Sequence, residues 1–405
     1  MVAISPNPST FAGAKIEIKT EMRKRKTEKF RTFARNFTTK RRKRTIMQRI
    51  ILFISTLLLF VSCQSGARHT SVAEEAVVVD TLPREKRTRL LFAGDAMCHG
   101  PQLESARCSD GSYDFKKSFT AVKPHFDSVD VTIVNLETTI APDTRYTGYP
   151  TFSSPKAYAE ALDWLGTDIA LLANNHCCDR SGKGIRSTVA TLDTLGIAHT
   201  GAFANEEERN RNAILRFESQ GIKFSLVNYT YGTNGLPTPK GCFVNRIDTL
   251  QIKEDLLRAN EDVDCVIACM HWGIEYQRQP SREQRKLAEF LHRNGVDLVI
   301  GSHPHVVQPY VATDSLITVY SLGNFVSNQR KRYTDGSILA EIEVVKSPEG
   351  VCTYSLKTIP IWVKTPGHEI VSSAYDSEVE LNAEQRAKYE LFLRDTESLL
   401  SRGVK

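Results

Sequence analysis

Short apolar runs recur along this chain, and five of them in succession end on an acid, an amide or an imidazole. Leu90–Ala93, Val131–Val134, Ile169–Leu172, Cys265–Cys269, Leu298–Ile300 and Ile317–Tyr320 are each bounded by polar residues or Gly, the look of strands buried on both faces. Between them Lys156–Gly166, Gly184–Leu195 and Arg282–Asn294 have helical length, and the first and last close on Gly166 and on Asn294-Gly295 as a helix C-cap requires. Alternating strand and helix predict an α/β fold, with helices covering a central sheet and right-handed crossovers. Ile222–Tyr231 and Ile338–Lys357 alternate more like sheet with less helix, which predicts a second, partly antiparallel sheet. Tyr389, Phe392, Leu393, Leu399 and Leu400 among charges predict a C-terminal helix over 383–402.

In doubly wound sheets ligands collect at the carboxyl ends of strands, where the chain leaves the sheet. Asp95 follows the first run, Asn135 and Glu137 the second, and Asn174, Asn175 and His176 the third; His271 and Glu275 follow the fourth, His303 and His305 the fifth. Singly each has an ordinary explanation: Asp95 as a helix cap, His176 as a loop histidine, Glu137 as a surface acid. Jointly they predict one site along one sheet edge. Oxygen and imidazole donors without clustered thiols suit Mn, Fe, Zn or Mg. Pro304 stiffens the Gly301–His305 turn, and alternating His on such a turn can aim two imidazoles at neighbouring ions. No Walker loop, dinucleotide glycine fingerprint or Gly-x-Ser-x-Gly elbow is present.

The net charge of +6 is unevenly placed. Residues 1–46 carry fourteen Lys/Arg against three Glu, a net of +11, which leaves −5 from Met47 onward. A nucleic-acid partner would therefore rest on the first tenth of the chain, and none is expected. From Met47, one cation at Arg49 precedes an apolar run from Ile50 to Val61 and then Ser62-Cys63. That run is too short for a bilayer span, which takes about 20 residues, and reads as a secretory signal. Residues 1–46 are read as a basic extension that is not translated, with the start at Met47, 47–62 as signal peptide and 63–87 as a tether. The other reading keeps a basic tail and a buried helix. Eight cysteines besides Cys63 leave pairing open, and Cys265 and Cys269 read as small buried hydrophobes.

Six motifs in order, Gly94–Met97, Asn135–Glu137, Asn174–His176, His271–Gly273 with Glu275, Gly301–His305 and Ser321–Phe325, resemble the CapA, or PGA_cap, capsule-synthesis family, a branch of the calcineurin-like metallophosphoesterase superfamily. The likeness runs from about Arg89 to Val326, and the corresponding domain is expected over 88–365, with a helical segment at 366–405. It implies a four-layer α/β/β/α sandwich. It also implies two divalent metal ions: Asp95 and His305 on one, Asn175, His271 and His303 on the other, Glu137 bridging, and His176 protonating the leaving oxygen. Phosphoesterases carry Asp-x-His where this chain has Asp95-Ala96-Met97, a thioether being a poor ligand for hard ions, and His99 is a candidate substitute. Glu137 stands where they have a shorter Asp. Phe60–Cys63 resembles a lipobox, which implies lipid attachment at Cys63 and anchoring to the cell-envelope membrane.

The loop from Asn228 to Gly235 is read as facing substrate, with Asn234 and Arg278 as substrate-binding candidates. The expected function is a metal-dependent hydrolase in capsule or poly-γ-glutamate metabolism, acting on a phosphoester or an anionic cell-envelope polymer. The alternative is a non-catalytic subunit that binds the polymer and assists its export or anchoring.

Overall fold

The computed structural model describes residues 84–375 and 379–404. The chain divides into two units, Met1–Leu82 and Pro83–Lys405; the signal, the Cys63 lipid site and nearly all of the expected tether lie outside the described residues. Among these residues no helix is long and apolar enough to cross a membrane.

In chain order the strands are β1 (Lys86–Ala96), β2 (Val131–Leu136), β3 (Ile169–Leu171), β4 (Ala198–Thr200), β5 (Ala202–Phe203), β6 (Leu215–Ser219), β7 (Ile222–Thr230) and β8 (Phe243–Val244). They continue as β9 (Cys265–His271), β10 (Leu298–Ser302), β11 (Tyr310–Ala312), β12 (Ile317–Val319), β13 (Gly336–Lys346), β14 (Cys352–Val363) and β15 (Ile370–Ser372). One sheet runs β15-β14-β13-β1-β2-β3-β4, the other β11-β12-β10-β9-β7-β6. The strands β1 through β4 are mutually parallel, as are β7, β9, β10 and β12.

The two faces of each strand explain the layers. On the first sheet Leu91, Ala93, Val134 and Leu136 pack with Leu162 and Leu165 of helix Lys156–Leu165 and with Ile185 and Leu192 of helix Ser181–Leu195. On the second, Val227, Val266, Ala268 and Val299 pack with Ile252 and Leu256 of helix Thr249–Ala259 and Leu291 of helix Arg282–Arg293. The alternate residues, among them Leu90, Phe92, Ile133, Leu226 and Ile267, are also fully buried, because β1 lies against β7 and β10 of the other sheet. The architecture is helix, sheet, sheet, helix.

Helix ends follow their capping chemistry. Lys156–Leu165 stops at Gly166, whose φ of 110° suits a residue without Cβ. Arg282–Arg293 starts from a reciprocal cap between Ser281 and Gln284, and Asp248 caps Thr249–Ala259 by accepting from the Leu250 and Gln251 amides.

The hairpin over Ile338–Lys357 does not belong to the second sheet. β13 and β14 extend the first, where β13 pairs with β1 from Lys86↔Lys346 to Phe92↔Ala340. Arg87 and Arg89 of β1 meet Glu343 and Glu341 of β13 at 3.5 and 3.3 Å. Exposed pairs like these add little stability but favour this partner and register. Segment 366–404 supplies β15 and the helix Ala383–Arg402, whose Tyr389 packs on Trp362 of β14.

Candidate metal centre

The carboxyl ends of β1, β2, β9 and β10, with the loop after β3, converge on one edge. At β1 the register slips between Ala93 and Asp95. A Cβ on Gly94 would fall on the Gly323 carbonyl oxygen, the same oxygen that accepts the Asp95 amide at 3.0 Å. Only glycine permits this approach, so Gly94→Ala is expected to lower the urea midpoint by an equivalent of about 1–3 kcal/mol, with an unchanged midpoint counting against the crowding.

Asp95 is fully buried. Its Oδ1 accepts from Asn135 Nδ2 at 2.7 Å, and its Oδ2 lies 3.1 Å from His305 Nδ1 and 3.3 Å from the His303 amide that donates to it. His303 and His305 flank Pro304 with φ of 99° and 58°, a left-handed backbone that disfavours side chains. The turn holds their ring centroids 5.8 Å apart. His305 Nδ1 also meets Asn324 Oδ1 at 3.0 Å.

Glu137 sits at the middle. Its carboxylate is 3.7 Å from His271 Nε2 and 3.9 Å from His305 Nε2, and both its oxygens are buried without a hydrogen-bond partner; His303 Nδ1 is likewise unpartnered. Donor atoms of Asp95, Glu137 and His305 lie within 4.8 Å of one another, as do those of Glu137, His271 and His303. Glu137 is common to both groups. Asn175 Oδ1 lies 2.8 Å from His271 Nε2, beside the second. A third such group joins His303 and His305 to Glu275, which is exposed on the solvent side.

The electrostatics are those of anionic and imidazole groups crowded together out of water. Burial, then the neighbouring Asp95 charge, pushes the Glu137 carboxyl well above the usual range. Burial also pushes Asp95 up, but the His305 hydrogen bond and the charges of His305 and His271 bring it to about 2. Burial and then His305 take His303 down to about 3, while burial and His303 lower His271. A buried carboxylate with no donor is costly. Hard oxygen donors with neutral imidazoles are what a divalent cation accepts, so the side chains fit a metal centre.

His176 stands beside this cluster. Its Nδ1 lies 2.7 Å from Asp179 Oδ2, and its Nε2 is 3.5 Å from Asn234 Nδ2. Asn234 is exposed, and its Oδ1 accepts from Asn175 Nδ2 at 3.1 Å. Asn228 joins the sheets: it donates to the Cys269 carbonyl and accepts the Ala173 amide, which places the Asn174–His176 loop.

Every ligand candidate is therefore brought together, with His176 and Asn234 at the rim. Arg278 is not among them. Its guanidinium donates to the Val307 and Asp395 carbonyls and lies over the Tyr333 ring. His99 is engaged as well, with Nδ1 accepting the Asn328 amide, and it is in none of the three donor groups. Sequence reasoning placed Asn135 at this edge without its bond to Asp95, and missed the supporting roles of Asp179 and Asn324. The first lies within Asn135-Leu136-Glu137, the last within Ser321–Phe325, and Asp179 stands three residues after His176.

A family model described as bacterial capsule synthesis protein PGA_cap matches residues 89–329. A capsule biosynthesis protein CapA of Bacillus anthracis is 27% identical over 230 residues, 55% of this chain and 54% of that protein, so the chain spans about half the length of that relative. A PGA biosynthesis protein CapA of Bacillus subtilis is 27% identical over 290 residues, 68% of this chain and 72% of that one. A solved phosphatase from Mycoplasma pneumoniae aligns over 70% of this chain and 97% of its own, with 15% identity and a TM-score of 0.46.

Proposed function

The chain belongs to the bacterial capsule synthesis PGA_cap family, and from that premise we propose that it is a metal-dependent phosphoester hydrolase in capsule-polymer metabolism. The observation that carries the reading is Glu137, a buried carboxylate with both oxygens unpartnered, shared by two groups of donors. Asp95 and His305 would hold one divalent ion, Asn175, His271 and His303 a second, and Glu137 both. Ions bound there supply Lewis-acid stabilisation of charge on a phosphoryl group.

The chain's own residues supply the rest. With Nδ1 held by Asp179 Oδ2 at 2.7 Å, the His176 ring is oriented so that a proton would leave from Nε2. Nε2 then faces the rim, where a leaving oxygen would take the proton. Asn234, held by Asn175, sets the distance from that nitrogen. We also propose that Cys63 carries lipid and tethers the protein to the cell-envelope membrane; its support is the sequence around Phe60–Cys63.

Metal analysis with phosphodiester turnover in wild type and His271→Ala tests the hydrolase reading. Bound divalent metal and a rate loss of about 10²-fold or more in the variant are expected. A metal-free protein that binds anionic polymer equally well with or without His271, and turns over nothing, would instead support the polymer-binding subunit.

A further inference from the structure

Three tyrosines stand exposed around the centre, and each leans on a different histidine of it. Tyr149 is 72% exposed and its ring is 6.5 Å from His176; Tyr231, 43% exposed, is 4.4 Å from His303; Tyr276, 36% exposed, is 6.3 Å from His305. A large aromatic in water gives up the free energy of burial, and three at one mouth make a patch with something to cover.

Each is fixed in place. The Tyr149 loop is tied down where Arg180 donates to Thr147 Oγ1 and where the Phe152 amide donates to Asp179 Oδ2 at 2.7 Å. Gly148 lets it lie on the backbone at His99-Gly100, where a Cβ would collide. The Tyr231 amide donates to the His271 carbonyl at 3.0 Å. Tyr276 has φ 68°, rare for an aromatic, and is held by donating its amide to the Pro304 carbonyl at 2.8 Å. Lys331 Nζ lies 3.9 Å from the Tyr276 ring centroid, bringing a cation to the same rim.

Resting on the phosphoester reading of the centre, we propose that these tyrosines form a subsite for a saccharide ring carried by the phosphoester, so that the substrate is a sugar phosphate and not an acyclic one. A sugar offers an apolar ring face to a platform and hydroxyls around its edge. Here the platforms are phenols, and the exposed Asn234 amide and Glu275 carboxylate beside them offer a donor and acceptors. The three rings stand beside three different histidines and are not paired with one another, an arrangement that suits a bulky ring; a flat base asks for two parallel rings as a slot. Lys331 suits the negative charge of the phosphoester.

The test is calorimetric binding to the full chain, loaded with manganese, of N-acetylglucosamine 1-phosphate, glycerol 1-phosphate and AMP, with phosphate release followed on the same samples. The sugar phosphate is expected to bind about tenfold more tightly than glycerol phosphate, and the ratio to fall below about threefold in Tyr149→Ala and in Tyr276→Ala. Tyr149 is so exposed that its truncation leaves folding intact. Equal affinities in wild type, unaltered ratios in both variants, or no binding at all would overturn the subsite, and tighter AMP binding would assign the ring to a base. Ring-dependent binding without phosphate release would keep the subsite and refute the hydrolase; release without ring preference would do the reverse.

Discussion

Glu137→Gln is expected to act in opposite directions on the metal-free and the metal-loaded protein. In the metal-free state the carboxylate is fully buried, has no hydrogen-bond partner, and faces the charge of Asp95. Because burial and Asp95 disfavour the ionised carboxyl, folding at neutral pH either buries that charge or takes up a proton; a neutral amide of the same shape does neither, so the variant in excess chelator should be as stable as wild type or more so, by up to about 1–3 kcal/mol. With metal the order reverses. A ligand that binds only the folded state stabilises by about 4 kcal/mol at a thousandfold excess over Kd, and Glu137 belongs to both donor groups. The variant should lose most of that gain and, with it, turnover. Urea unfolding with EDTA and with manganese reads both arms. A variant less stable than wild type in EDTA yet equally stabilised by manganese would show a structural role for Glu137 and none in binding metal.

His176→Ala should lower kcat by about 10²–10⁴-fold while the protein keeps its metal. His176 belongs to none of the donor groups around Glu137, and its side chain meets Asp179, Asn234, the Phe152 ring at 4.6 Å between centroids and the Tyr149 ring at 6.5 Å. The deficit should depend on the leaving group: large for an alkyl phosphoester, whose departing oxygen needs a proton, and small for a p-nitrophenyl ester. Asp179→Asn should show the same dependence in weaker form, since it weakens the contact that orients the ring through Nδ1 but leaves the ring. Equal deficits on both esters would remove His176 from proton transfer.

Much of this centre was legible in the chain because a strand's end is a local feature. An apolar run that stops at Asp95, Glu137, His271 or His303 shows both the strand and what it delivers, and parallel strands bring such ends to one edge. Long-range pairing is not written locally. Ile338–Lys357 by itself does not say that its hairpin joins β1 of the first sheet; that is a long-range pairing, from Lys86↔Lys346 to Phe92↔Ala340, in which the ion pairs of Arg87 and Arg89 with Glu343 and Glu341 play a small part. Arg278 shows the converse error, inference from nearness in sequence. It follows His271 by seven positions, but left-handed turns at Gly273 and Tyr276 redirect the chain and carry it to Val307 and Asp395. Asn324 was hidden because it reaches His305 from the segment after β12, which meets β1 through Gly94 and Gly323.

The central claim is that Glu137 and the donors on either side of it hold divalent metal. Anomalous diffraction from crystals of the manganese-loaded protein tests it most directly. Peaks should appear on both sides of the Glu137 carboxylate, at coordination distances of about 2.0–2.3 Å from its oxygens and from the imidazoles of His271, His303 and His305. Crystals with no peak near Glu137, or with manganese bound only at other sites, would contradict it.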